Sequence, residues 1–199
     1  MEKRREKLIK AFLEKNSQIN LSAIRDEEWV YVKHILDALE IQNVFDLEEW
    51  MQVCDVGTWW WFPLLPLAME YPDVSFVWMD SVRKKIDAIW DIAKQLWIKN
   101  IELVRKRAEE YKDKQFDVIT ARAVAYVDKL LPRTKHLLKQ GWVRILFKQV
   151  DEQERWDLED LCHSMNLRLE YEHKYSLFEW DIDRVIYVVR RLGGTWKPM

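Results

Sequence analysis

The sequence predicts an α/β fold: a seven-stranded, mostly parallel sheet with a terminal antiparallel hairpin, preceded by a helical N-terminal extension. Three observations predict it. From Met51 onward, short apolar segments of strand type alternate with amphipathic segments of helical spacing. No helical segment separates the last two strand segments, so we expect them to form a hairpin. Residues 1–45 show helical spacing only. Strands separated by helices imply right-handed crossovers, with helices on both faces of the sheet.

The N-terminal extension is predicted from two apolar stripes. Leu8, Ile9, Phe12 and Leu13 recur at helical spacing over residues 2–15. Asp26 is placed to cap a second helix, whose buried side carries the apolar residues Val30, Val32, Ile35, Leu36 and Leu39. We expect residues 1–45 to form this extension and residues 46–199 to form one compact domain.

The remaining elements follow from short apolar runs and from amphipathic segments between them. The predicted strands are Val53–Val56, Val74–Met79, Ile101–Val104, Phe116–Thr120, Val143–Phe147, Leu167–Tyr175 and Arg184–Val189. The predicted helices are Pro63–Tyr71, Val82–Leu96, Val127–Leu138 and Glu152–Met165. Pro63 is acceptable in the first turn of its helix because the nitrogen there needs no helical partner.

Composition and charge exclude several classes of protein. The chain has 199 residues, is 49% hydrophobic and 33% charged, and carries a formal net charge of −2. Such a chain can bury a core and is not intrinsically disordered. No apolar run is long enough for a transmembrane helix, and the charged start lacks the apolar centre of a signal peptide. Cys54 and Cys162 lie far apart in apolar contexts, which predicts neither a disulfide nor a metal site. We therefore expect a cytoplasmic protein without membrane contact.

The end of the first predicted strand indicates a nucleotide site. Asp55-Val56-Gly57-Thr58 runs through a loop into a helix, the arrangement of a nucleotide-binding crevice in a doubly wound sheet. Asp80, at the end of the second strand, lies 23 residues beyond Gly57. An acid at that distance can accept hydrogen bonds from ribose hydroxyls. The structural alternative is that Asp80 only caps the helix that begins near Ser81.

The loop departs from the dinucleotide pattern G-x-G-x-x-G, and Asp55 stands just before its first glycine. Together with the terminal hairpin, this favours a methyltransferase that uses S-adenosylmethionine over a nicotinamide-dependent oxidoreductase.

Several stretches resemble the bacterial small-subunit ribosomal RNA methyltransferase G family, also called glucose-inhibited division protein B. The resemblance covers nearly the whole chain in the same order. The matching stretches are Asn20-Leu21-Ser22-Ala23-Ile24-Arg25, Val32-Lys33-His34-Ile35-Leu36-Asp37, Asp55-Val56-Gly57-Thr58, Phe62-Pro63, Leu65-Pro66-Leu67, Asp80-Ser81, Arg83-Lys84-Lys85, Arg107-Ala108-Glu109 and Thr120-Ala121-Arg122-Ala123.

The resemblance implies a fold, an activity and site residues. The fold is a class I, Rossmann-like methyltransferase, and the activity is methyl transfer from S-adenosylmethionine to N7 of a guanine, position 527 in the 530 loop of 16S rRNA. The implied partner is 16S rRNA or the small ribosomal subunit, and we expect a monomer. By motif, the cofactor-binding residues are Gly57, Phe62, Asp80, Ala108, Glu109 and Arg122. Arg122 and Lys148 face the reacting groups.

Tryptophan stands where that family has glycine. The family pattern D-V-G-T-G-x-G-F-P corresponds here to a loop that contains Trp59-Trp60-Trp61, and the chain has 12 Trp but only 4 Gly. Trp97 and Trp142 also occupy turns before strands, where glycine is typical. We interpret several of these residues as glycines in the cell, encoded by UGA codons that the organism translates as glycine. The alternative is a cofactor-defective family member that acts as an RNA-binding or ribosome-assembly protein.

Guanine N7 carries a free lone pair at neutral pH, so its methylation needs no general base. Positioning and electrostatics then supply the rate, and Arg122 and Lys148 are candidates to hold guanine O6 or a phosphate. Each is equally suited to a surface ion pair. His34 and Asp37, three residues apart on a helix, are predicted to form a structural pair.

Four basic clusters indicate RNA contact only where they lie close together in the folded chain. They are Lys3-Arg4-Arg5, Arg83-Lys84-Lys85, Arg105-Lys106-Arg107 and Arg133-Lys135.

Overall fold

A computed structural model describes residues 2–20, 22–57, 62–177 and 183–193 of the chain. Its centre is a seven-stranded sheet with the order β3-β2-β1-β4-β5-β7-β6. The strands are β1 Gln52–Val56, β2 Ser75–Met79, β3 Ile101–Val104, β4 Phe116–Arg122, β5 Leu138–Gln149, β6 Leu167–Ser176 and β7 Asp183–Arg191. The first five pair in parallel, and β7 pairs antiparallel with both β5 and β6. The predicted seven strands and terminal hairpin are confirmed.

Helices pack on the sheet, and further helices form the N-terminal extension that precedes β1. The α-helices are α1 Glu2–Ile19, α2 Glu27–Val30, α3 Asp37–Leu39, α4 Leu64–Glu70, α5 Arg83–Gln95, α6 Val127–Thr134 and α7 Glu152–Ser164. A π-helix, Tyr31–Leu36, joins α2 to α3, and a 3₁₀ turn, Glu40–Asn43, follows α3.

Local sequence explains where several helices begin. Asp26 accepts a hydrogen bond from Trp29 N at 2.8 Å, which confirms the predicted cap of α2. Asp151 caps α7 in the same way, through Glu154 N at 3.0 Å. Each carboxylate also lies at the positive end of its helix, which adds electrostatic stabilisation.

The N-terminal helices share one apolar core with the sheet. Leu8 and Phe12 of α1 are fully buried in the same cluster as Val53 of β1 and Phe76 of β2. Strands of a parallel sheet that is covered on both faces bury nearly every side chain, and all seven residues of β4 are buried. The division of the chain at residues 45 and 46 stays a prediction.

From Met51 onward, two boundaries differ from the sequence prediction by more than two residues. The helix expected over Val127–Leu138 ends at Thr134 and continues as a 3₁₀ turn, and β5 begins at Leu138 rather than Val143. Pro132 lies inside the last turn of α6 and cannot donate a helical hydrogen bond, which favours an early end. The second N-terminal helix is divided by its π-helical turn, which apolar spacing does not reveal.

Within the part of the chain that the structure describes, no helix combines the length and apolarity that crossing a membrane requires. Cys54 and Cys162 are both free thiols and both buried.

Candidate active site at the carboxyl edge of the sheet

The chain reverses its direction of winding at β1, which has β2 on one side and β4 on the other. In an open sheet of this kind, ligands bind outside the carboxyl ends of the strands at such a switch point. Here the structure has two neighbouring depressions. We call them the Asp80 crevice and the Arg122 cavity.

The Asp80 crevice has a volume of about 200 Å³. Its lining residues come from the ends of β1 and β2, the 3₁₀ turn after β3, and the segment from β4 to α6: Val56, Met79, Asp80, Ser81, Lys106, Arg107, Ala108, Glu109, Val124, Ala125, Leu130, Arg133 and Thr134. The crevice thus contains three of the predicted cofactor residues: Asp80, Ala108 and Glu109. Two of the predicted basic clusters also meet here, since Arg107 and Arg133 line the same crevice.

Asp80 is buried, and both of its carboxylate oxygens have partners. One accepts from Val82 N at 2.8 Å, at the N-terminus of α5, and the other from Lys85 Nζ at 2.9 Å. The capping contact considered as the structural alternative is therefore present. It leaves the carboxylate lining the crevice, since a carboxylate oxygen accepts more than one hydrogen bond.

Gly57 lies between the two depressions. Its φ is +60°, and its N–H donates to Met79 O at 2.8 Å. A Cβ at this position would stand 2.9 Å from Cγ1 of Val124. Left-handed backbone and this close approach both favour glycine.

The Arg122 cavity is larger, about 1120 Å³. It lies outside β4 and β5, beneath the segment that joins α1 to α3. Its lining residues are Asn20, Ser22, Ala23, Ile24, Arg25, Lys33, His34, Arg122, Ala123, Val124, Ala125, Tyr126, Phe147, Lys148, Gln149, Val150, Asp151, Glu154 and Arg184. Basic side chains outnumber acidic ones in this wall, as a phosphate-bearing ligand requires.

The guanidinium of Arg122 is held by the N-terminal helices. Nε lies 2.9 Å from Asp37 Oδ2, Nη2 donates to Lys33 O at 2.5 Å, and Nη1 lies 3.5 Å from His34 Nδ1. Arg122 is only 8% exposed. All three nitrogens thus contact the helical extension. His34 and Asp37, predicted to pair with each other, both contact Arg122.

Asp37 is the centre of a buried polar network. Its Oδ1 accepts from Tyr175 Oη at 2.7 Å and lies 3.9 Å from Arg184 Nε. Burial, and then the Asp37 carboxylate, raise the pKa of Tyr175 far above its ordinary value, so the phenol stays protonated and donates. This network links the helical extension to β4, β6 and β7.

Lys148 lies in the cavity wall with its ammonium group bound to two acceptors. Nζ donates to Ala125 O at 2.7 Å and to Glu154 Oε1 at 2.5 Å, and Glu154 also accepts from Val127 N at 3.1 Å. The lysine therefore fixes the segment between β4 and α6.

Phe62, predicted to bind cofactor, lies in the core. It is fully buried, with its ring stacked on His34 at 4.5 Å between centroids and edge-on to Phe12 at 5.5 Å. The structure therefore divides the predicted site residues between two depressions. Asp80, Ala108 and Glu109 line one, Arg122 and Lys148 line the other, and Gly57 and Phe62 lie outside both linings. Thr58 and Trp59–Trp61 lie outside the described residues.

Two site features were missed by sequence reasoning. Arg184, on β7, lines the cavity. The sequence signal that could have identified it is a basic residue within a predicted strand. Ala123 has φ +51°, a left-handed backbone that is unusual for alanine and is concentrated at functional sites. No group of acids, histidines and cysteines in the described residues is suited to a metal ion.

Solved structures share this architecture. A methyltransferase from Aquifex aeolicus described as SAM-dependent superposes with a TM-score of 0.63 at 17% identity, covering 81% of this chain and 92% of the other. The fibrillarin pre-rRNA processing protein of Methanococcus jannaschii superposes with a TM-score of 0.65 at 16% identity, covering 83% and 78%. The fold is thus that of the Rossmann-like, S-adenosylmethionine-dependent methyltransferases.

Sequence comparison defines the family. The model of the family described as rRNA small subunit methyltransferase G matches residues 1–175. Proteins named ribosomal RNA small subunit methyltransferase G are 32% identical in Lysinibacillus sphaericus, over 96% of this chain and 83% of that protein, and 33% identical in Streptococcus pyogenes serotype M12, over 94% and 81%. The chain belongs to the rRNA small subunit methyltransferase G family.

The cofactor of this fold and family is S-adenosylmethionine. The described residues fit its adenosine part, since the Asp80 carboxylate lines a crevice beside the small, buried Ala108 side chain and Gly57 leaves room that a Cβ would fill.

Proposed function

We propose that the chain methylates N7 of a guanine in 16S rRNA, with S-adenosylmethionine as the methyl donor. The observation that carries this is the family match over residues 1–175 on a fold whose carboxyl edge has the Asp80 crevice beside the basic Arg122 cavity. The substrate is free 16S rRNA or the small ribosomal subunit, and the chain works as a cytoplasmic monomer.

Different residues of the Asp80 crevice contact different parts of the cofactor. Asp80 accepts from the ribose hydroxyls, Ala108 and Glu109 flank the adenine, and Gly57 allows backbone to approach closely. When bound, the cofactor supplies an electrophilic methyl group on a sulfonium. Because guanine N7 already carries a lone pair, the protein needs only to align the base and exclude water.

The cavity residues act by positioning. The Arg122 nitrogens contact Lys33, His34 and Asp37, so this arginine fixes the helical extension over the cavity rather than reaching into it. Lys148 fixes Ala125, which lines both depressions. We therefore assign both residues to the arrangement of the substrate site, with no general base.

The experiment is a methyl-incorporation assay with small-subunit rRNA and with assembled subunits, followed by mapping of the modified base. We expect one methyl group on N7 of a guanine. Methylation of another base or another atom contradicts the proposal, and the Asp80→Ala variant is the control for dependence on the crevice.

The alternative, an RNA-binding or assembly protein without cofactor, is favoured only by the tryptophans at 59–61. Calorimetric titration with S-adenosylmethionine separates the two: binding to the chain as written excludes the alternative. Failure to bind in a chain with Trp59→Gly, Trp60→Gly and Trp61→Gly excludes our proposal. The same titration with NAD tests the nicotinamide-dependent oxidoreductase.

A further inference from the structure

His34 lies in the wall of the Arg122 cavity with no assigned role. The residue is 7% exposed and lines the cavity, and one face of its ring stacks on Phe62 at an interplanar angle of 13°. Phe12 contacts it edge-on, with the ring centroids 5.5 Å apart. Two aromatic contacts of this kind fix the plane of the imidazole.

The protonation of His34 follows from its neighbours. Burial and the nearby Arg122 cation lower the pKa of the imidazole well below its ordinary value, so the ring is neutral at pH 7. One ring nitrogen then carries the hydrogen. Nδ1 lies 3.5 Å from Arg122 Nη1, and because a guanidinium only donates, this contact favours the tautomer in which Nδ1 accepts and Nε2 carries the hydrogen, over one in which the ring donates to Lys33 O.

That Nε2–H group is buried and has no hydrogen-bond partner among the described residues. Leaving a buried donor without an acceptor is unfavourable, and such groups in native proteins call for an explanation. Nε2 has almost no accessible surface in the free protein, so a ligand must displace the cavity wall beside it to place an oxygen acceptor there, and that hydrogen bond then removes the penalty.

We propose that His34 Nε2 donates a hydrogen bond to O6 of the guanine that enters the Arg122 cavity. This rests on the proposed function and deepens it, since it assigns the residue that selects a 6-oxopurine. Guanine presents an acceptor at O6, whereas adenine presents the N6 amino group, which donates. A neutral imidazole with its hydrogen on Nε2 matches guanine and opposes adenine. Lys33 and Arg184, in the same wall, supply positive charge for the flanking phosphates.

Nitrogen-15 NMR of the imidazole tests the first step without any catalysis. We expect the Nε2–H tautomer in the free protein at pH 7, and a shift of that resonance on titration with guanosine monophosphate but not with adenosine monophosphate. A hydrogen on Nδ1, or no shift with guanosine monophosphate, overturns the proposal.

Two matched variants test selectivity. His34→Phe keeps a ring on Phe62 and removes the donor, and His34→Gln retains an amide donor. We expect His34→Phe to lose about 10-fold or more in affinity for guanosine monophosphate, in the range for a buried polar group that loses its partner. His34→Gln should recover part of that loss. Equal affinity of His34→Phe and the unmodified protein contradicts the assignment.

The same variants separate this proposal from the proposed function. If the protein binds guanosine monophosphate through His34 but methylates no rRNA, the proposed function fails and the His34 assignment stands. If rRNA is methylated and His34→Phe retains the full kcat/KM, the His34 assignment fails and the proposed function stands.

An independent observation concerns the end of α5. Trp97 N donates to Lys94 O at 3.2 Å, and Ile98 N donates to Ala93 O at 2.9 Å. These two hydrogen bonds form a Schellman motif, with Trp97 at the position after the C-cap and the buried Ile98 next to it. Trp97 has the φ of +56° that this position demands.

Glycine is the usual residue at this position because the left-handed backbone is strained for residues with a Cβ. The Trp97 side chain gains little in return, since it is 79% exposed. We infer that residue 97 is glycine in the protein made by the source cell, through a UGA codon translated as glycine. The low count of 4 Gly beside 12 Trp is consistent with this.

Peptide mass spectrometry of the protein from its source cells tests the inference. We expect the mass of glycine at position 97 and a UGA codon in the gene, whereas tryptophan or a UGG codon overturns it. In the recombinant chain, Trp97→Gly should raise Tm by about 2–4 °C, because it relieves the left-handed strain at this position. Trp90→Gly, in the interior of the same helix, is the matched control and should lower Tm.

Discussion

The Asp80 crevice and the Arg122 cavity lie side by side, yet they are built differently. In the crevice, the hydrogen bonds that the carboxylate of Asp80 accepts from described residues come from its near neighbours in sequence, Val82 and Lys85. In the cavity, Arg122 contacts residues more than 80 positions away, and Asp37 contacts Tyr175, which lies 138 positions further along the chain. The position of the Asp80 carboxylate is thus set within one strand–loop–helix unit, at the point where the ends of β1 and β2, the turn after β3 and the segment from β4 to α6 meet. The cavity exists only once the helical extension docks on the sheet.

The largest expected difference between the two regions is in stability. Arg122→Ala leaves Asp37 buried without its closest cation and should lower the free energy of unfolding by about 3–5 kcal/mol. Lys106→Ala, in the crevice, removes an ion pair with Asp113 that is about half exposed, and should cost less than about 1 kcal/mol. Urea unfolding of both variants measures this. If Arg122→Ala lowers the free energy of unfolding as little as Lys106→Ala does, docking of the extension does not depend on Arg122.

For cofactor binding we expect the reverse order: substitution in the crevice should have a larger effect than substitution in the cavity. In the chain with glycine at positions 59–61, Asp80→Ala should raise the cofactor KM by roughly 10- to 100-fold, or about 1.5–3 kcal/mol, because two charge-assisted hydrogen bonds to the ribose are lost. Arg122→Lys, which keeps the charge but not the three contacts, should act mainly on kcat.

Steady-state kinetics with varied cofactor gives both constants. Lys85→Ala is the control for Asp80, since it removes the ammonium partner and leaves the carboxylate. If Asp80→Ala and Arg122→Lys change only the cofactor KM, the cavity binds cofactor and the division between the regions is wrong.

The smallest expected difference is a dependence of stability on pH that originates in the cavity. His34 stays neutral in the folded chain because its pKa is held well below 6.5, whereas in the unfolded chain it gains a proton near pH 6.5. Protons therefore favour the unfolded state, so stability is retained above about pH 7 and falls as the pH drops through 6.5. The loss approaches about 1.4 kcal/mol for each further pH unit.

Free energies of unfolding between pH 8 and pH 5 test this against His34→Phe. The free energy of unfolding of His34→Phe should fall less steeply with decreasing pH, because the contribution of His34 is missing. The carboxylates contribute to the slope in both proteins. Parallel curves for the two proteins contradict the assignment.

The same contrast explains what the sequence predicted. Strand ends such as Val56 and Met79, the Asp26 cap and the terminal hairpin follow from short-range patterns, and the structure has them. Asp80, Ala108 and Glu109 share a crevice because parallel strands end at a common edge. Whether they bind cofactor stays a prediction.

The contacts of Arg122 were not predictable in the same way. Nothing in local spacing indicates that His34 and Asp37 would contact an arginine on β4, or that Tyr175 would complete the network from β6. The π-helical turn that carries His34 is equally invisible to a pattern of 3.6 residues. Such features depend on how distant elements dock, which a single sequence does not display.

Val124 and Ala125 line both depressions, and Gly57 touches this shared wall at a distance that leaves no room for a methyl group. We therefore expect positions 57 and 124 to vary together among related sequences. A lineage that acquires alanine at 57 must bear left-handed strain and also needs a smaller residue at 124. That residue in turn reshapes the wall on the side of the substrate base. The shape of the loop after β1 and the shape of the loop after β4 are thereby coupled through one close approach, that of Gly57 to Val124.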